Sequence, residues 1–461
     1  MAIEFLGNTL HSRGLRNALG LGLSSLALLA CSTTPAPVRQ PNQPRPPVSQ
    51  PLPQPELPIE AEQPDVETDV SDVKEIKPEP GEPVRVTRDG LTPPHMQGRD
   101  LKRLALLLPF SAKSDRLRAE ANSMLKAAEL AVFDREQADI VLVPIDTQGT
   151  DRGAKNAASV AARSGVDVIL GPVLSGAVKG ASQQIRQSNI PIIAFSTDLN
   201  TAGNGTYLLS FPPEAEVDRI VDYAASTGVT RFAILGPDSE YGRRVAAQYS
   251  ASIEAIGAEI TASESYSGND ISVMQGPAKK LAQAFEAQDL ATNGQGPMAF
   301  EAIMLPEGGT PLRSLAPLLP YFYDGAADAQ FLGTSRWQNE DTAREPALKD
   351  GVFAGPDEAP RKAFQDHYDR SYGEEASRLA SLAYDAVNVG AVIADGDPKS
   401  RRARAEDGAG FYGADGFVRF GPDGKPDRGL AVFQIRNGRY QILEPAPKTG
   451  ADMDALKNGP S

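Results

Sequence analysis

The stretch VILGPVLSGAVKGASQQIRQSNIPIIAFST, Val168 to Thr197, decides the fold. It belongs to an apolar run, VDVILGPV (Val166–Val173), a helical stretch from Gly176 to Ser188, and a second apolar run, IPIIAFST (Ile190–Thr197). Short β-branched runs alternating with helices predict parallel strands covered on both faces. The pattern extends upstream through LKRLALLLPF (Leu101–Phe110), a helix from Arg116 to Phe133, ADIVLVPIDT (Ala138–Thr147) and a helix from Ala154 to Ser164. Each strand ends in Pro, Gly, Ser or Asp, the end at which open α/β sheets place a ligand crevice.

The pattern then restarts. Glu214 to Ser226 reads as helix, TRFAILGPD (Thr230–Asp238) as strand, Tyr241 to Ile256 as helix and AEITASESY (Ala258–Tyr266) as strand. A helix from Ser272 to Ala287 and the strands FEAIMLP (Phe300–Pro306) and AQFLGTS (Ala329–Ser335) follow. Two successive α/β units of this size predict two doubly wound lobes, each with a parallel sheet, and a cleft between them. The stretches LLLPF, Val168–Thr197, FAILGPDSEYGRR, GVFAGP and DGFVRFGPDGKP, in this order over Leu101 to Pro445, resemble the type I periplasmic-binding-protein fold in its branched-chain amino-acid-binding branch. The resemblance implies a chain that crosses between lobes three times. It places one lobe at about 101–212 plus 358–424 and the other at about 213–357 plus 425–447.

In those relatives the ligand carboxylate is held by hydroxyls and backbone N–H groups after the third and fourth strands. The matching positions are Ser175, Gly176, Ser196 and Thr197, and Tyr241 matches the aromatic that closes from the other lobe. Helix N-termini favour anions, although hydroxyls at such places also simply cap helices. The relatives carry an acid for the ligand ammonium just after the strand matching AQFLGTS. Here Arg336 and Trp337, the chain's only tryptophan, stand there, and Glu340 and Asp341 follow further on. Arg336 opposes an ammonium. Both residue types are favoured at binding hot spots, while a core position is the other reading of Trp337.

The single cysteine, Cys31, lies between an apolar run (Asn17–Ala30) and a proline-rich one. Leu28-Leu29-Ala30-Cys31 resembles the bacterial lipobox. That implies a signal peptide over 1–30, a lipidated Cys31 and, with Ser32 following, sorting to the periplasmic face of the outer membrane. From Cys31 to Asp100 the chain reads as a disordered tether. Sixteen of the 38 prolines fall between Pro35 and Pro94, and proline disfavours both helix and sheet. At about 3.1 Å per residue such a tether spans on the order of 200 Å. Tether, lipobox and the Thr334-Ser335-Arg336 strand end together resemble the lipoprotein activators of penicillin-binding proteins, whose binding-protein fold serves as a docking module. That resemblance implies activation of a peptidoglycan synthase. The alternative is a lipid-anchored solute-binding protein that hands an amino acid or small amide to an ABC permease.

The net charge of −14 argues against nucleic acid. No nucleophile elbow, P-loop or metalloprotease motif occurs, and His367, the one histidine of the folded part, sits in an amphipathic helical stretch. No enzyme, cofactor or metal is expected. Residues 285–298 read as a mobile insertion, Lys399–Arg404 (KSRRAR) as a solvated basic run, Phe417–Gln434 as a hairpin and residues 448–461 as an unstructured tail.

Overall fold

The computed structural model describes residues 98–135 and 139–458; Cys31, the signal peptide and nearly all of the tether lie outside them. The first lobe opens with β1 (Lys102–Leu108), α1 (Asp115–Phe133), β2 (Ile140–Asp146), α2 (Asp151–Arg163), β3 (Val168–Leu170), α3 (Ser175–Ile185), β4 (Ile192–Ala194) and β5 (Thr206–Leu208). Its strands form a five-stranded parallel sheet in the order β2-β1-β3-β4-β5. Local chemistry sets the helix starts. Ser114 Oγ accepts the Leu117 N–H to cap α1, and Thr150 Oγ1 accepts the Gly153 N–H to cap α2. The central strands are apolar on both faces because helices cover both: Leu104, Leu106 and Leu108 pack in the α1 layer, Ala105 and Leu107 in the α2–α3 layer.

At Ser210–Pro212 the chain crosses to α4 (Pro213–Ser226) and builds β6 (Arg231–Pro237), α5 (Glu240–Ala255), β7 (Glu259–Tyr266), α6 (Ile271–Thr292), β8 (Ala302–Met304), α7 (Gly309–Leu315), α8 (Leu318–Phe322), β9 (Gln330–Gly333), α9 (Glu340–Ala343) and β10 (Val352–Gly355). It returns through Pro356 and Asp357 to α10 (Glu358–Tyr372), α11 (Ala380–Ala394), α12 (Arg401–Ala405) and a small antiparallel sheet of β11 (Phe411–Gly413), β12 (Gly416–Phe420) and β13 (Pro426–Arg428). The third crossing leads to β14 (Ala431–Arg436), β15 (Arg439–Glu444) and α13 (Gly450–Asn458). The second sheet runs β15-β14-β10-β9-β8-β6-β7, with β14 alone antiparallel to the rest, paired antiparallel to β10 on one side and β15 on the other. The hairpin read at Phe417–Gln434 is β12–β13 alone. β13 stays paired with β12, so the last crossing falls after Arg428, a few residues beyond the expected division at 424.

Three sequence expectations are corrected. The tail expected to be unstructured folds through residue 458 as α13, with Met453 buried and Asp454 and Lys457 paired to Arg419 and Asp427. The expected mobile insertion is the second half of α6 and the turn after it, and Phe285 stacks edge-on against Phe300 in the core. The basic run is solvated only at Lys399 and Arg402. Arg404 donates to the Ile393 carbonyl at the end of α11, and Arg401 forms a buried ion pair with Asp167, whose other oxygen accepts the Arg103 N–H. Removing one partner of a buried pair strands the other charge, which costs about 3–5 kcal/mol. Arg401→Met therefore lowers stability by that amount, measured as the shift of the guanidinium unfolding midpoint at unchanged slope.

Candidate functional site

The crossings leave a cleft between the two sheets, and a cavity of about 840 Å³ occupies it. Its first-lobe wall comes from the start of α1, the β3–α3 and β4–β5 connections, α10 and the loop before α11. Its second-lobe wall comes from the starts of α4 and α5 and the turn after β9. These are mostly C-terminal strand ends and helix N-termini, the arrangement expected of an open α/β sheet. The Val173, Leu174, Phe195, Phe211, Leu379 and Leu382 side chains give the cavity an apolar side.

Ser175, Ser196 and Thr197 line this cavity. Ser175 is the first residue of α3, a helix with no side-chain cap, so its leading N–H groups are left for another partner. Ser196 also serves its own turn: its Oγ accepts the Asp198 N–H at 3.1 Å, and its carbonyl accepts Ser210 Oγ at 2.8 Å. The Thr197 carbonyl accepts Arg244 Nη2 at 2.9 Å, a bond from α5 to the β4–β5 connection, while Glu214 holds the same guanidinium at 2.8 and 2.7 Å. Gly176 is not in the wall. It packs on Asp151, and a Cβ there would lie 2.3 Å from Asp151 Oδ1.

Tyr241, Arg336 and Trp337 do not line the cavity. The Tyr241 hydroxyl shares a 2.8 Å hydrogen bond with Thr334 Oγ1, and the Arg336 guanidinium lies 3.8 Å above the Tyr241 ring. Arg336 Nη1 is 3.9 Å from Glu307. Trp337 is fully buried, and its Nε1 donates to the Leu305 carbonyl at 3.2 Å. Its indole lies against Gly333, where any Cβ would come within 2.2 Å of the ring. Tryptophan is thus a core residue, which removes the partner contact expected at Trp337, while Arg336 is exposed.

An acid reaches the cavity from another element. Glu216, on the first turn of α4, lines the cavity yet is only 4% exposed. Its Oε2 accepts the Ser335 N–H at 2.9 Å and its Oε1 accepts Ser335 Oγ at 2.7 Å. Burial pushes its carboxyl from 4.5 up to about 7, against the opposing pull of these hydrogen bonds and of the Arg378 and Arg336 charges. Sequence reading passed over it among many surface acids. The available signal was its place one turn before Ile220 on the face of α4 that buries Val217, Ile220, Val221 and Ala224. Arg378 faces Glu216 from the other lobe on a loop fixed by Glu120, which accepts Ser377 Oγ and the Leu379 N–H, and by Arg361, which donates to the Arg378 carbonyl.

His367 lies elsewhere, on α10, with its Nε2 2.9 Å from Asp134 at the end of α1. Among the described residues no His, Cys, Asp and Glu group has metal-binding geometry. The arrangement therefore offers recognition: an open helix N-terminus and hydroxyls on one side, a buried carboxylate on the other.

Two outcomes follow from this geometry. Trp337→Ala empties a core site and lowers stability by about 3–5 kcal/mol in chemical denaturation. Glu216 gives a pH-dependent effect. Its folded value near 7 lies above the unfolded 4.5, so as pH rises between them the unfolded state ionises first and stability falls, by on the order of 3 kcal/mol. Glu216→Gln matches the wild type near pH 4 and is the more stable of the two, by up to that amount, at pH 8. Urea midpoints at both pH values measure the difference.

Comparison with known proteins agrees with this fold. The sequence profile of a periplasmic binding protein family matches residues 103–439. No curated protein matches. Among solved structures, a Rhodospirillum rubrum protein assigned as a branched-chain amino acid ABC transporter is 17% identical, with a TM-score of 0.60 over 74% of this chain and all of its own. ABC transporter substrate-binding proteins from Desulfitobacterium hafniense and Sphaerobacter thermophilus are 18% and 17% identical. Their TM-scores are 0.54 and 0.53 over 74% and 76% of this chain and 99% of each of theirs. Likeness at this identity speaks for the fold, and the profile match over most of the chain settles the family: the chain belongs to the periplasmic binding proteins.

Proposed function

We propose that this protein is a non-enzymatic solute receptor that captures an amine-bearing small molecule, an amino acid or a small amide, in the interlobe cavity for delivery to an ABC permease. The observation that carries the reading is Glu216, a nearly buried carboxylate on the wall of a cavity of about 840 Å³, a volume within the usual range of small-molecule sites. A buried carboxylate facing a cavity is costly unless a cation or donors satisfy it. Ser335 supplies two donors, and a ligand ammonium completes the set. The open α3 N-terminus with Ser175 suits the ligand's carboxylate, and the apolar side of the cavity takes its side chain. The structural relatives described as ABC transporter proteins support the same reading. Lipidation of Cys31 would keep the receptor on a membrane surface.

A tethered activator of a penicillin-binding protein remains the reading suggested by the proline-rich segment and the lipobox. Of the folded-part residues that favoured it, Trp337 is buried inside the second lobe, while Arg336 stays exposed over Tyr241.

A thermal-shift screen of the purified protein against amino acids and amides tests the receptor. One compound at about 100 times its dissociation constant adds roughly 2.7 kcal/mol and raises Tm visibly, and Glu216→Gln removes the rise. A flat response to every amine overturns the reading. The binding is also proton-linked. Glu216 sheds its proton to meet an ammonium, so affinity weakens about tenfold for each pH unit below 7. Calorimetry in two buffers of different ionisation heat shows proton release.

A further inference from the structure

The first-lobe wall of the cavity carries arginines that an amine and a single carboxylate leave unused. Arg378 lines the cavity and is exposed, and its guanidinium makes no hydrogen bond or ion pair with the described residues. The backbone that carries it is pinned. Ser123 Oγ accepts the Ser377 N–H at 2.9 Å, and Glu120 Oε1 accepts the Ser377 hydroxyl and the Leu379 N–H at 2.6 and 2.9 Å. Arg361 Nη2 donates to the Arg378 carbonyl at 2.7 Å. Arg361 lines the cavity too. Its Nε lies 3.8 Å from Asp415, a carboxylate 2% exposed that accepts no hydrogen bond.

Two cations are thus fixed on one wall, and Arg378 keeps all of its donors. The acids of that wall are committed elsewhere. Glu120 braces the loop, Asp357 caps α10 through the Ala359 N–H, and Glu358 accepts the Tyr440 hydroxyl. On the opposite wall Arg244 is already held by Glu214. Glu216 feels the charge of Arg378 more than that of Arg336, yet no ion pair joins Glu216 to Arg378. The cavity therefore has a buried acid on one side and a free guanidinium on the other. A guanidinium fork matches the plane and spacing of a carboxylate. Leu379, next to Arg378 in the chain, belongs to the apolar side of the cavity, so a short run of methylenes has a place beside the guanidinium.

We infer that Arg378, with Arg361 beside it, determines specificity for a second acid on the ligand, and that the solute is an amino dicarboxylate. The inference rests on the receptor reading proposed above. The ammonium meets Glu216, the α-carboxylate meets the open N-terminus of α3, and the side-chain carboxylate meets Arg378. The isosteric side-chain amide is rejected, because its NH₂ group sets a donor against donors and leaves the guanidinium without an anion.

Calorimetric titration of the purified protein with aspartate, glutamate and 2-aminoadipate, against asparagine, glutamine and leucine, tests the assignment. One of the acids is expected to bind at least about tenfold more tightly than its amide or than leucine. Arg378→Gln erases that ratio by weakening the acid and leaves the amide where it was. Glu216→Gln weakens acid and amide alike, since the ammonium contact is common to both. Circular dichroism melts confirm that each variant is folded, and a merely structural role of Arg378 would move the melt without moving the ratio. An amide or leucine that binds as tightly as the acids, or a preference that survives Arg378→Gln, overturns the second-acid site while the receptor reading stands. Binding of some other amine with none of the three acids does the same. Binding of no amine at all overturns the receptor reading and this inference with it.

Discussion

Three short pieces of chain carry every covalent link between the two sheets, and the rest of the structure depends on that constraint. Each sheet is covered on both faces by its own helices and closes its own core, so neither needs the other to bury apolar surface. What remains between them is built from strand ends and helix starts, where backbone donors and polar side chains are left over. A cleft of this kind is thus a by-product of topology, and its chemistry is set by the few side chains that the crossings bring to it.

Glu216 shows how far that goes. It follows the first crossing by one turn of α4, and the same crossing places Phe211 in the cavity and Ser210 under Arg428. The carboxylate is kept out of water, donated to by Ser335 and opposed by Arg378 on a loop braced from two sides. Such a group resists ionisation until a cation arrives. A second buried acid, Asp385 of the first lobe, is likewise pushed upward by burial and by the nearby charge of Asp415. Folding therefore leaves a buried acid with a raised pKa in each lobe, and both weaken the folded state as pH rises above the ordinary carboxylate range.

The parallel strands and their helices were legible in the sequence because β-branched runs alternating with helical stretches are local signals; Val168–Leu170 and Ile192–Ala194 act as their sequence suggests. Elements defined by a partner were not. β5 is three residues long and exists because β4 lies beside it. The β14–β15 hairpin did carry a signal, Asn437-Gly438, both at positive φ as a tight two-residue turn requires, but it was hidden behind a long apolar stretch. Of the site, Ser175, Ser196 and Thr197 reach the cavity because strand ends place them there. Gly176 does not, because its missing side chain serves Asp151 on the neighbouring helix. Glu216 was invisible as a cleft residue because its significance comes from Ser335, more than a hundred positions away.

Arg336 and Trp337 carry the same lesson in reverse. In a polar segment, Ser335 to Asp341, an arginine and a lone tryptophan look like surface recognition groups. Burial of the indole depends on something the segment does not state: Gly333 and Gly351 have no side chains where the ring must lie. Once the ring is seated, the turn that contains it is fixed. Ser335 is then aimed at Glu216, and Arg336 is laid across Tyr241. The tryptophan thus acts on the cleft without touching it, by holding the backbone whose N–H and hydroxyl satisfy the one buried acid there. A position for which the sequence offered both a partner contact and a core place is the internal support of the cleft wall.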